Sequence, residues 1–200
     1  MLVYDETCSG APLSPGLSDV WLAGSWLYRA LGRIDRVRGV SSWGEALGWL
    51  SEIEPDRPIG EVQYWGHGKW GQLLADRELL DRRALAPDSI YAGQIAAIRE
   101  RLSADSLLWF RTCETFGAAA GHDFARAVTD TFGCDAAGHT YIIQYWQSGL
   151  HRLRPGATPH WPADEGLLRG SVDAPERARQ STPMAPNTVT CLAGEIPAGY

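Results

Sequence analysis

The stretch EVQYWGHGKWG at Glu61–Gly71 ends an apolar run in a histidine, His67, set between two glycines. A second apolar run, SLLWFRTC, starts at Ser106 and ends in a cysteine, Cys113, followed by the small-residue stretch TFGAAAG. A free thiol has a pKa of about 8.5 and is mostly protonated at neutral pH; an adjacent imidazole can accept its proton or stabilise the thiolate. Gly68 lets the backbone come close to a substrate, and its N–H can point at a developing oxyanion. The small residues after Cys113 leave room around the sulfur. Each residue also has a plain alternative: Cys113 as a small buried apolar side chain, His67 as a structural histidine.

The elements around the pair decide whether the two can meet. Leu2–Asp5 is a short apolar run fit for a first strand, followed by the loop chemistry of ETCSGAPLSPG. Ser18 can cap a helix to about Leu31, with Val20, Gly24, Leu27 and Leu31 on one face and Gly32 past its end. RIDRVRGV gives a second strand through Ile34, Val37 and Val40, and Ser41 or Ser42 opens a second helix. After the turn-rich EPDRPIG comes the strand Glu61–Trp65, and residues 71–89 read as a polar connection. Asp88 or Ser89 can cap a helix carrying Tyr91, Ile95, Ile98 and Leu102. SLLWFRTC is continuous enough to be a strand buried on both faces. A helix with Phe124, Val128 and Phe132 on one side follows, closed by Gly133, and a fifth strand falls within Cys134–Ile143.

Strands thus alternate with helices to about residue 145, which argues for a parallel α/β sheet covered on both sides. Residues 1–149 read as that core. Residues 150–200 read as an irregular Pro/Arg-rich extension packed on it, with NTVTCLAGEIPAGY at the end a candidate edge strand. In an open parallel sheet ligands bind outside the carboxyl ends of the strands. His67 and Cys113 each follow a strand, so both emerge on that edge.

Composition narrows the function. The chain has 200 residues, 44% apolar and 21% charged, enough to bury one core without disulfide staples. A net charge of −6 offers no basic footprint for nucleic acid or an anionic membrane. MLVYDETCSG shows neither the positive region nor the apolar region of a secretory signal, so a cytoplasmic location is expected. The cysteines at 8, 113, 134 and 191 form no CxxC pair, which leaves metal and dithiol roles without support. GxGxxG and GxxxxGK[ST] are absent, so no nucleotide cofactor is indicated, and no cofactor of any kind is expected. The GxSxG elbow of serine hydrolases is absent too.

His-Gly after one strand and a cysteine after the next resembles the caspase–hemoglobinase fold, the clan that includes caspases, metacaspases, legumains and gingipains. The separation is 113 − 67 = 46 residues, against roughly 50 in caspases. LLWFRTCETFGAAAGHDFARAVTDTFG is also similar to bacterial members of the clan. The resemblance covers Leu2–Ile143 in element order and rests mainly on His67, Gly68 and Cys113. It implies a three-layer α/β/α sandwich around a mainly parallel sheet. It also implies a cysteine endopeptidase in which Cys113 is the nucleophile, His67 the general acid/base, and the Gly68 and Cys113 amides the oxyanion hole. The partner so implied is a peptide or protein substrate.

The resemblance breaks at Arg111-Thr112-Cys113, where caspases carry Gln-Ala-Cys and metacaspases Asp-x-Cys. The residue two before the cysteine lines the pocket for the side chain preceding the cut in those relatives. An arginine there implies an acidic side chain, through a charge-assisted pair; Arg111 can instead pair internally with Asp5 or Glu114. Arg111, Asp5, Glu114 and Trp146 are the candidate substrate-binding residues, with Asp5 equally able to cap the loop that follows it. Trp65, Trp70 and Trp146 suit either a peptide groove or the core. His122 reads as a helix-start residue, and His139, His151 and His160 fall in or near irregular segments. Cys8 is a site contact or a free thiol; Cys134 and Cys191 are free thiols. The connections at 71–89 and 150–187 are where an activating cut would fall. Two other readings stand beside the peptidase: a non-catalytic binding module that keeps the sheet, and an acyl-transfer enzyme using the same dyad on a non-peptide substrate.

Overall fold

The computed structural model describes residues 1–11, 14–144, 146–183 and 196. In chain order these form β1 (Leu2–Asp5), α1 (Leu17–Ala30), β2 (Val37–Val40), α2 (Trp43–Glu52), β3 (Glu61–Trp65), β4 (His67–Lys69), β5 (Gln72–Ala75), β6 (Glu78–Leu80), α3 (Ala92–Arg99), β7 (Leu107–Arg111), α4 (Ala118–Phe132), β8 (Asp135–His139), β9 (Leu150–Leu153), β10 (Leu167–Gly170) and β11 (Pro175–Ala178).

The central sheet runs β2-β1-β3-β7-β8-β9. Its first four pairings are parallel and the last, β8 with β9, is antiparallel. Strands β1, β7 and β8 are buried along their whole length, polar ends such as Asp5, Arg111, Asp135 and His139 included. One face carries Val3, Val62, Tyr64, Leu108, Phe110 and Ala136 against α2, α3 and α4. The other carries Leu2, Tyr4 and Trp65 against α1, and Leu107, Trp109 and Ala137 further along. The molecule is therefore an α/β protein with helices on both sides of a mostly parallel sheet.

Several elements form where expected. Ser42 caps α2, its hydroxyl accepting from the Glu45 amide at 3.1 Å. Phe124, Val128 and Phe132 of α4 face the core.

Elsewhere the structure departs from the sequence reading. α1 begins after Gly16 and turns a different face inward: Ser18, Ser25 and Tyr28 are buried, while Val20, Leu27 and Leu31 are 54%, 48% and 53% exposed. Aromatic contact outweighs the aliphatic stripe here. Tyr28 sits edge-on to Trp65 with ring centroids 5.1 Å apart. At Gly24 a Cβ would lie 2.8 Å from the Trp65 ring, so only glycine lets the helix settle on that indole. The Ser18 hydroxyl is buried at no hydrogen-bonding loss, donating to the Asp5 carbonyl at 2.9 Å.

Residues 71–89 are not simply a polar connection. β4, β5 and β6 form a three-stranded antiparallel sheet, with His67 opposite Leu74 and Leu73 opposite Leu80. The expected boundary at residue 149 falls just before β9, which completes the central sheet, and the extension also holds the antiparallel pair β10–β11. The expected strand in 187–200 lies outside the described residues, Ile196 apart.

Candidate active site

β3 and β7 end side by side, with Trp65 opposite Arg111. The chain leaves β3 through Gly66 into β4, and leaves β7 into the loop that holds Cys113. The two segments are pressed together at Gly68. A Cβ there would stand 2.2 Å from Thr115 Oγ1, 2.7 Å from Thr112 Oγ1 and 2.7 Å from the Cys113 carbonyl oxygen. One further bond ties hairpin to loop, the Gly71 amide donating to the Thr115 carbonyl at 2.9 Å, and within the loop the Thr112 and Thr115 hydroxyls lie 2.6 Å apart. His67 and Cys113 therefore share one edge of the sheet, held there by backbone contact.

The loop is drawn across the end of β8, with Glu114 and Phe116 amides donating to the Tyr141 and His139 carbonyls at 2.9 Å each. Among the described residues nothing accepts from the Cys113 amide, which is left free for a ligand. Glu114 adopts φ +43°, a left-handed conformation that costs a residue with a side chain roughly 1 kcal/mol. The C-terminal extension walls this loop. Trp161 stacks on Phe116 at 5.7 Å and donates to its carbonyl at 3.0 Å, while the Ala118 amide donates to Ala163.

His67 and Cys113 each have other contacts. The half-buried Cys113 directs its sulfur to the Ile143 carbonyl at 3.7 Å. Burial pushes this thiol up from its ordinary value and the Glu114 carboxylate adds to the rise; the Ile143 contact and the Lys69 cation oppose it. His67 is exposed, its ring edge-on to Trp21 of α1 at 5.9 Å. No hydrogen bond joins His67 to Cys113 among the described residues.

The remaining sequence-selected residues divide. Asp5 is buried, and its carboxylate accepts from the Thr7 amide and hydroxyl at 2.9 and 2.6 Å and from the Asp76 amide at 3.3 Å. It caps its loop and ties it to the β5–β6 turn. Cys8 donates to the same carboxylate at 3.7 Å, and burial together with that negative charge pushes its thiol up. Glu114 is buried, with one oxygen 3.4 Å from Lys69 Nζ and the other unpartnered among the described residues. Burial raises its carboxyl, against the pull of Lys69. Trp146 is 38% exposed on the segment between β8 and β9, while Trp65 and Trp70 are buried. Cys191 lies outside the described residues.

Arg111 pairs with neither Asp5 nor Glu114. Its guanidinium donates to the Tyr28 hydroxyl and lies 4.9, 5.2 and 5.3 Å from the ring centroids of Trp65, Trp109 and Tyr28. It is a cation 9% exposed in an aromatic box, with no carboxylate in ion-pair reach among the described residues. Beside it stands His139, which the sequence reading left near irregular chain and which is in fact the last residue of β8, fully buried. Strand-end position was the available signal, the same one that picked out Cys113. Among the described residues no group of three or more His, Cys, Asp or Glu side chains is placed to hold a metal, and no helix is long and apolar enough to cross a membrane. Comparison with protein-family models, curated proteins and solved structures found no match to this chain.

Proposed function

We propose that this chain is a caspase-like cysteine endopeptidase in which Cys113 is the nucleophile and His67 its acid/base partner. The observation that carries the reading is the seat of Gly68 against the Cys113 carbonyl, which puts both side chains on the carboxyl edge of the parallel sheet. In the reaction, His67 takes the Cys113 proton and the thiolate attacks the peptide carbonyl. The Cys113 amide, and that of Gly68, accommodate the charge on the carbonyl oxygen. Collapse of the tetrahedral species breaks the C–N bond, and His67 returns the proton to the leaving amine. Water, deprotonated by His67, then attacks the thioester and releases the acid and the thiol.

The Arg111 cation, two residues before the nucleophile and with no carboxylate in ion-pair reach among the described residues, supports an acidic side chain before the cut. A second reading has an observation of its own. The thiol raised by burial, with no bond to His67, is what a binding module of the same architecture would carry.

A weak electrophile separates the two, because it labels a thiol only when an assembled site holds it. An acetyl-tripeptidyl-aspartyl acyloxymethyl ketone should label Cys113, and neither Cys8 nor Cys134, as read by peptide mass spectrometry. His67→Ala should slow that labelling by ~10²-fold or more. Labelling indifferent to His67, or spread over the three thiols, would leave the binding module as the reading. Arg111→Asp should abolish the advantage of aspartyl over lysyl reagents.

A further inference from the structure

β7 and β8 pair in parallel with Trp109 opposite Ala137. Two residues further along, at the carboxyl edge, the same face carries Arg111 on β7 and His139 on β8. His139 is 0% exposed. Its Nδ1 lies 3.4 Å from the Ser148 carbonyl, so that nitrogen holds the hydrogen and Nε2 presents a lone pair. Nε2 is buried and has no partner among the described residues; neither has Trp109 Nε1 on the strand beneath. Among the described residues, a buried acceptor without a donor beside a guanidinium that has a hydroxyl and aromatic rings but no carboxylate is a costly arrangement. One ligand relieves both deficits: a carboxylate that pairs with Arg111 and whose charge draws a proton from solvent onto Nε2.

We propose that His139 is the second contact for an acidic side chain in the Arg111 pocket, and that the carboxylate enters with one proton from solvent that settles on His139 Nε2. Nothing else changes hands: free protein, carboxylate and one proton give a complex holding an imidazolium–carboxylate–guanidinium cluster. The inference rests on the reading of Arg111 given above and specifies what that site recognises.

The groups facing His139 agree. Burial and the Arg111 charge hold the empty imidazole neutral, its pKa pushed down to about 3. His151 on β9 pushes the same way, though its own ring is bonded to Glu165, and the Ser148 and Gln147 carbonyls act weakly against. Tyr28 from α1 accepts from Arg111 through its hydroxyl. An arriving carboxylate is the only new charge and reverses the balance, so proton and ligand bind together.

Binding is read without turnover, on Cys113→Ala protein, by isothermal titration calorimetry with acetyl-Ala-Ala-Ala-Asp-amide and its Asn counterpart. Each of pH 5.5, 6.5 and 7.5 is run in two buffers of different ionisation heat. The Asp peptide should bind with uptake of one proton and lose about tenfold in affinity per pH unit, while the Asn peptide shows neither effect. An Asp preference with no proton uptake and a flat pH profile overturns the role of His139 and leaves Arg111 standing. Equal binding of Asp and Asn peptides at every pH, or no binding of either at pH 5.5, overturns both. His139→Gln should lose the proton uptake yet keep the Asp preference. Because that variant changes a buried residue, the ¹⁵N-histidine spectrum of the unsubstituted pocket gives a second reading. The His139 Nε2 resonance must move from the bare to the protonated range on adding Asp peptide, and an unmoved resonance refutes the proposal.

Discussion

Gly68→Ala tests the contact on which the candidate site is built. The added methyl would lie 2.2 Å from Thr115 Oγ1 and 2.7 Å from both Thr112 Oγ1 and the Cys113 carbonyl oxygen, where real Cβ contacts do not fall below 3.0 Å. Relief therefore takes at least 3.0 − 2.2 = 0.8 Å at the Thr115 hydroxyl and 3.0 − 2.7 = 0.3 Å at the other two. Rotating Thr115 away gives up its approach to Thr112 Oγ1 and to the Cys113 carbonyl and still leaves the backbone clash. The easier relaxation slides β4 and β5 off the loop, stretching the bond from the Gly71 amide to the Thr115 carbonyl. Overpacking of this kind costs ~1–3 kcal/mol. A misplacement approaching 1 Å between reacting groups costs ~10²-fold in rate, so a loss of tenfold to a hundredfold in Cys113 labelling is expected.

Urea unfolding and the labelling rate with the aspartyl acyloxymethyl ketone are measured on the same samples. Gly48→Ala is the control: a Cβ there meets nothing within 4 Å, in the interior of α2. It should stabilise the chain by about 1 kcal/mol and leave labelling unchanged. If Gly68→Ala is as stable and as fast as the unsubstituted chain, hairpin and loop are not pressed together and the argument for the dyad fails. If it loses stability but keeps its rate, the contact is structural and His67 is not positioned through it.

Two further outcomes follow from buried groups. His139 has a pKa of about 3 in the folded chain and an ordinary one near 6.5 in the unfolded chain, so its contribution to stability is complete above pH 6.5. Below that the unfolded chain gains a proton that the folded chain refuses, and stability falls by about 1.4 kcal/mol per pH unit toward pH 3. Between pH 7 and 5 the loss is about 2 kcal/mol, with His122, also held down by burial, acting in the same direction. Denaturant midpoints that do not move over this window would count against a neutral buried His139. Asp5→Ala should cost about 1–2 kcal/mol, because it removes the charged acceptor that holds the Thr7 and Asp76 amides, although both residues are exposed enough for water to take its place in part. A variant of unchanged melting temperature with altered peptide binding would return Asp5 to the substrate.

The sheet was legible where its strands are apolar runs between turn signals, as in LVY and SLLWF, while β8, which reads DAAGH, is carried mainly by its place after α4. Strand ends were legible for the same reason, and with them the edge that His67 and Cys113 share. What stayed hidden depended on partners distant in the chain. The face of α1 follows from Trp65, whose ring claims the space at Gly24, and no periodicity within 17–30 contains that information. β5 and β6 are short, and their polar neighbours Asp76, Arg77 and Glu78 mask a hairpin whose buried members are only Leu73, Ala75 and Leu80. Glu114 reads in the sequence as a substrate contact or a partner of Arg111; in the structure it is buried beside Lys69, two places beyond His67.

The period-2 alternation of β7 explains why nucleophile and pocket arrive together. Phe110 belongs to the helix-packed core with Phe116 and Phe124, so Trp109 and Arg111 must face the opposite side, toward α1. The same alternation in β3 and β8 adds Trp65 and His139 to that side, which makes one row across three strand ends from residues far apart in sequence. Cys113 follows Arg111 by two residues, just where the chain bends over the edge, so under the proposed function a substrate held by its side chain in the Arg111 box would offer its next bond to the sulfur. Changing Arg111 should therefore alter which residue is presented and leave the labelling of Cys113 by a small haloacetamide, which uses no pocket, as it was. A haloacetamide rate that followed Arg111 would mean that the guanidinium acts on the thiol itself, and that pocket and nucleophile are not separable.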